Sequence, residues 1–226
     1  MPKGKFIVID GTDGSGKATQ TKLLIKKLTK AGIKVTQEDF PQYSKKSAGP
    51  IEEYLNGLYG TSDELGAYIP SVFFAVDRFA ASARIRDYLK KGYVVVSNRY
   101  VTANMAHQGG KIKNNREREK YFKWITDFEY NIFKIPKPDL HIVLHIPPET
   151  SVKLIKQRGR QYYIGKKKKD IHESDIEHLR SAEKIYLEIA KKFKFKVVEG
   201  VVDGRLLTPE EVSNKIYPIV HGYLRN

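Results

Sequence analysis

Short apolar runs recur along the chain, separated by longer stretches in which apolar residues return every three or four positions. That alternation predicts strands interleaved with helices. Lys5 to Asp10 reads as a first strand. Lys17 to Ala31 carries Leu23, Leu24 and Leu28 at helical spacing and is closed by Gly32. Ile33 to Glu38 reads as an edge strand, and Asp63 to Lys91 as largely helical, with Pro70 opening its main part and Gly92 ending it. Tyr93 to Ser97 is a buried strand. Arg116 to Phe133 is a helix with Tyr121, Phe122, Ile125, Phe128 and Ile132 on one face, stopped by Pro136 and Pro138. Leu140 to Ile146 is a strand, Pro148 to Arg158 a helix, Phe195 to Glu199 a last strand, and Thr208 to Val220 a helix opening on T-P-E-E. The expected fold is α/β, a three-layer sandwich whose mostly parallel five-stranded sheet is covered by helices. No repeat or linker divides the 226 residues, so one domain is expected over 1–226.

Charge changes this picture by pointing to a ligand. Lys and Arg number 41 against 26 Asp and Glu, a net charge of +15, and such a chain attracts phosphates on nucleotides or nucleic acid. With no cysteine, disulfides and thiolate metal sites are excluded. No apolar run approaches the roughly 18 residues of a membrane span, and the first strand begins almost at once. A soluble, cytoplasmic protein is therefore expected.

Three clusters carry chemistry. Gly11 to Lys17 reads G-T-D-G-S-G-K directly after the first strand. This strand, glycine loop and helix order lets backbone N–H groups and a helix N-terminus converge on phosphate. The phosphate-binding set is Gly11, Thr12, Asp13, Gly14, Ser15, Gly16, Lys17, Ala18 and Thr19. Lys17 reaches the β- and γ-phosphates. Ala18 stands where a magnesium-binding hydroxyl is usual, and Thr19 points about 100° further round the helix. Arg99, in Asn98-Arg99-Tyr100, follows a strand and so faces the ligand end of the sheet. Phe74 and Arg78 are four apart on one helix face, an aromatic plane beside a guanidinium fork. Finally, Lys153 to Lys169 holds eight basic residues and no acidic one. A solvated loop, a surface for single-stranded nucleic acid and a lid over polyphosphate all suit that composition. Its place between two helices of a P-loop protein favours the lid, over about 158–173.

These residues together resemble the thymidylate kinase family. The resemblance rests on F-I-V-I-D-G-T-D-G-S-G-K-A-T-Q, Phe40-Pro41, F-F-A-V-D-R, N-R-Y-V-T-A-N-M-A-H-Q and K-P-D-L-H-I-V-L. It implies a P-loop NTPase-type fold, phosphoryl transfer from ATP to dTMP, in dTTP synthesis, with Mg2+ accompanying ATP, and a homodimer. It further implies that Asp13 contacts the acceptor sugar, that Phe74 stacks on thymine and Arg78 reads its O4, and that Arg99 holds the acceptor phosphate. Phe40, His107 and Gln108 would also meet dTMP. Arg158 would cover adenine. Gly14 replaces a P-loop arginine of some members, which leaves Arg158 or Arg160 of the lid as the catalytic arginine beside Lys17, Arg99 and Asp13.

Three positions depart from the family pattern: Ala18, Asn98 for the usual aspartate, and Tyr43 for a common arginine. Two of them bear on metal, so Asp10 and Asp39 become the candidate magnesium carboxylates, acting through bound water. A kinase for another nucleoside monophosphate or a deoxynucleoside, a catalytically impaired relative, and a P-loop nucleic-acid-binding protein are the competing readings.

Overall fold

The computed structural model describes residues 3–157 and 176–225. The expected lid, with Arg158, Arg160 and the lysine run, lies outside them. Five strands form one sheet: β1 (Lys5–Gly11), β2 (Val35–Asp39), β3 (Val94–Asn98), β4 (Leu140–His145) and β5 (Lys196–Glu199). Their order is β2-β3-β1-β4-β5, and every pairing is parallel. Parallel strands need covered faces, and the side-chain alternation supplies two cores. Phe6, Val8, Val95 and Val143 face one; Ile7, Ile9, Val94, Val96, Ile142 and Leu144 face the other.

The second core is sealed by α1 (Lys17–Lys30), through Leu24 and Leu28, and by the C-terminal helix Pro209–Arg225, through Val212, Ile216 and Val220. Between β1 and that helix the chain adds α2 (Gly49–Leu55), α3 (Ser62–Leu65), α4 (Tyr68–Lys90), α5 (Val101–His107), α6 (Asn115–Asp127), α7 (Pro148–Gln157) and α8 (Ile176–Lys192). The first core is closed by residues of α4, α5, α6 and α8. The sandwich therefore has three layers, as the alternation predicted.

Two local differences from the sequence reading are physical. The long helix expected over 63–91 breaks at Gly66, after the short α3, whose Thr61 and Glu64 form a capping box. The helix expected over 116–133 begins on the Asn114 cap and turns into a π-helical segment at Phe128–Ile132. One residue more per turn rotates the face. Ile132, expected inward, is 63% exposed, while Glu129 is fully buried.

Candidate active site

The glycine loop joins β1 to α1, and Gly16 caps that helix in the left-handed conformation. Two glycines are fixed by close approach. A Cβ on Gly11 would lie 2.4 Å from the Leu144 carbonyl oxygen, and one on Gly14 (φ +80°) would lie 2.7 Å from that of Ser151 on α7. The Lys17 ammonium folds back over the loop and donates to the Thr12 carbonyl at 2.7 Å, with Asp13 3.9 Å away.

β3 lies next to β1, with Ile9 opposite Asn98. At Arg99 the backbone is left-handed (φ 66°), uncommon for a residue with a side chain. The Arg99 amide donates to the Ile9 carbonyl and the Ser97 hydroxyl to the Arg99 carbonyl, at 3.0 and 2.7 Å. The guanidinium of Arg99 pairs with Asp13 of the loop. Burial raises Asp13, yet the Arg99 and Lys17 charges outweigh it and hold the carboxyl well below the usual carboxylate range. Conversely, burial opposes the Arg99 charge, and Asp13 keeps it fully protonated. The glycine loop and Arg99 are thus one electrostatic unit.

Arg99 Nη1 also lies 3.2 Å from His107 Nε2 on α5. Burial lowers the His107 imidazole well below its ordinary value, and the nearby Arg99 adds to that. Phe74 is half-buried on α4 and meets Tyr54 of α2 edge-on, centroids 6.3 Å apart. Gln108 is buried, with its Oε1 unpartnered among the described residues.

Two residues expected to contact dTMP already have close partners within the protein. Phe40 is 3% exposed and packs into the first core against Tyr100, at 5.6 Å between centroids. It is a core residue because the chain turns inward at the end of β2. Arg78 is not an open fork. Its Nε and Nη2 donate to the two Glu129 oxygens at 2.6 and 2.7 Å, and Nη1 donates to the Tyr100 carbonyl at 3.4 Å. Burial opposes its charge, and Glu129 restores it.

The two magnesium candidates separate. Strand alternation puts Asp10 on the face of Phe6 and Val8, where Tyr186 of α8 donates to it at 3.1 Å. Asn98 shares the face of Val94 and Val96, and donates to Asp39 at 2.7 Å. Asp10 Oδ2 and Asn98 Oδ1 are buried without a partner among the described residues. These are oxygen donors, as a hard cation requires. No group of three or more His, Cys, Asp or Glu among the described residues gathers into a metal cage. The residues fit a magnesium ion that keeps its waters and shares the phosphates of its nucleotide.

Sequence reasoning missed Glu129, His178, Tyr186 and Asn104. The first three carry no motif. Asn104 lies inside the N-R-Y stretch and is buried, donating to the Ser71 carbonyl at 3.1 Å.

A glycine loop on the first strand, a lysine on that loop and an arginine at the tip of the neighbouring strand define a P-loop phosphotransferase. The Thymidylate kinase family description matches residues 9–216. The chain belongs to the thymidylate kinase family. It is 32% identical over 218 residues to the thymidylate kinase of Mycobacterium tuberculosis, covering 92% of this chain and 100% of that one. It is 29% identical over 221 residues to a probable thymidylate kinase of Pyrobaculum aerophilum, covering 97% and 98%. The fold is similar to that of Candida albicans thymidylate kinase, with TM-score 0.74 at 23% identity, over 98% of this chain and 92% of that one.

Proposed function

We propose that this protein transfers the γ-phosphoryl group of ATP to dTMP, giving ADP and dTDP. The observation that carries the reading is the Asp13–Arg99 pair, which ties the donor-phosphate loop to the acceptor arginine across neighbouring strands. Phosphoryl transfer is mostly positioning and charge neutralisation. Lys17 and the loop amides bind the transferred group's oxygens, and Arg99 holds the acceptor phosphate in line with them. Asp13 orients Arg99 and meets the acceptor sugar, while Phe74 supplies the stacking plane for the base. Arg158 or Arg160, which lie outside the described residues, would supply the catalytic arginine, and Arg158 would cover adenine. Asp39 and Asn98 would face a magnesium ion accompanying ATP, which would supply electrostatic stabilisation of the phosphates.

The assembly in this reading is a cytoplasmic homodimer. Ile69, Val76 and Phe79 on one side of α4 are 49%, 41% and 49% exposed. With Val72 they repeat at spacings of three and four, the seam of paired helices. No helix among the described residues is long and apolar enough to cross a membrane.

A coupled assay with ATP and Mg2+ against dTMP, dUMP, dGMP and CMP tests the activity. dTMP is expected to give the highest kcat/KM; another acceptor giving the highest value would replace it. Salt-sensitive oligonucleotide binding with no turnover of any acceptor would instead favour a nucleic-acid-binding protein.

A further inference from the structure

The most heavily buried ion pair among the described residues stands beside the acceptor site and is left over from the steps just described. Glu129 has no exposed surface, and Arg78 is 2% exposed. Burying two charges costs more than their attraction returns unless geometry is good and the remaining lone pairs are filled. Here both conditions hold. The contact is bidentate, at 2.6 and 2.7 Å, and Glu129 also accepts from the Asn104 amide. Asn104 is held in turn by its bond to the Ser71 carbonyl and by Tyr121, whose hydroxyl donates to the Asn104 carbonyl at 3.1 Å. The π-helical segment Phe128–Ile132 is what delivers Glu129 to this spot, since it turns the carboxylate inward and leaves Ile132 outside.

The consequence for Arg78 is a loss of choice. A guanidinium has five N–H donors in a rigid fork. Glu129 takes the Nε hydrogen and one of the two on Nη2. Nη1 holds only the 3.4 Å contact with the Tyr100 carbonyl, so it is aimed at the β3–α5 junction, the residue after Arg99. Phe74, the stacking ring, stands one helical turn before Arg78 on α4.

We propose that Glu129 is a specificity-positioning residue: by clamping the Nε–Nη2 edge of the Arg78 fork it fixes the plane of the guanidinium, so that an Nη1 N–H faces the 4-position of the base stacked on Phe74. This rests on the dTMP reading above. A pyrimidine with a carbonyl at that position accepts the donor. A pyrimidine with an amino group sets donor against donor, and the clamped fork cannot rotate away to relieve it. An unclamped arginine on a flexible stem could rotate and tolerate both. Discrimination between the two pyrimidine classes is therefore built into the second residue of the π-turn, which touches no substrate.

The test compares wild type and Glu129→Gln with dTMP and dCMP as acceptors. The substituted side chain sets an amide donor against one arm of the fork, so Nη1 is released. The variant is expected to raise KM for dTMP and to lower the dTMP:dCMP ratio of kcat/KM by about tenfold to a hundredfold. KM for ATP and kcat with saturating dTMP should change little. An unchanged ratio, or an equal loss in both KM values, overturns the proposal. Wild type that phosphorylates no dTMP overturns the functional reading and this inference with it, whereas wild type that does so beside an unselective variant supports both. Should the variant fail to fold, nitrogen-15 NMR of arginine in the wild type decides the question. Addition of dTMP should shift the Nη1 resonance of Arg78 and leave its Nε–H in place. A displaced Nε–H means that the Glu129 clamp opens, and the proposal fails.

Discussion

His107 Nδ1 lies 3.1 Å from His178 Nε2, with the two rings stacked at 24°. Because Arg99 donates to His107 Nε2, the neutral His107 carries its proton on Nδ1 and donates it to His178. A chain of contacts thus runs from Asp13 through Arg99 and His107 to His178, the third residue of α8. Truncation by His178→Ala frees His107 to turn. KM for dTMP should rise by roughly threefold to tenfold, the worth of one hydrogen bond, with KM for ATP unchanged. Steady-state kinetics with each substrate varied in turn check this; a matched rise for ATP would show that α8 acts on the whole site.

The two acidic candidates for magnesium should behave differently. Asp39 faces the α1 side beside Asn98, so Asp39→Asn is expected to raise the Mg2+ concentration for half-maximal rate severalfold. Asp10 is held by Tyr186 on the other side, and burial raises its carboxyl above the usual range despite Arg99 and Lys17. Asp10→Asn should leave the magnesium titration unchanged. Titrating both variants at fixed ATP separates the roles, and identical curves would remove Asp39 from the site.

His145 gives the fold a pH dependence. Its imidazole bridges Glu183 of α8 and Glu199 of β5, at 2.8 and 2.6 Å. Burial works against its charge, but the two glutamates raise its pKa overall. A group raised in the folded state adds stability that is complete below its unfolded value near pH 6.5 and fades as pH climbs through the folded value. Wild type should therefore lose more thermal stability than His145→Gln between pH 6 and pH 9. Parallel melting curves across that window would refute the bridge as a source of stability.

The α4 seam predicts a change of assembly. Phe79→Glu puts a charge on the exposed face, and a charge buried between copies without a partner is costly. The variant should sediment as a monomer, whereas wild type is expected to sediment as a dimer. A wild-type monomer in velocity sedimentation would sink the homodimer.

The sheet was legible because parallel strands buried on both faces must be continuous apolar runs, as at Phe6 to Ile9 and Val94 to Val96. The glycine loop was equally plain, since its spacing encodes backbone geometry. Glu129 was hidden for the opposite reason. Within F-E-Y-N-I, a 3.6-residue period places Ile132 inward, and only the tertiary need to neutralise Arg78 makes the π-turn worthwhile. Arg78 itself was legible as an arginine sharing a helix face with Phe74 but not as one paired with a buried glutamate. Phe40 was expected at dTMP only through the resemblance carried by Phe40-Pro41, and its packing on Tyr100 in the core is not written in that pair.

The close approach of Gly14 to the Ser151 carbonyl bears on how such enzymes can diverge. An arginine at position 14 would drive its first side-chain carbon into the backbone of α7. Moving a catalytic arginine from elsewhere in the chain onto this loop is therefore not a one-step substitution. The helix would have to shift first, and a shift with no arginine to gain leaves a void beside the phosphate loop. Each step alone is unfavourable, so the present arrangement is locked in, and a designer wishing to relocate the charge must rebuild α7 and residue 14 together.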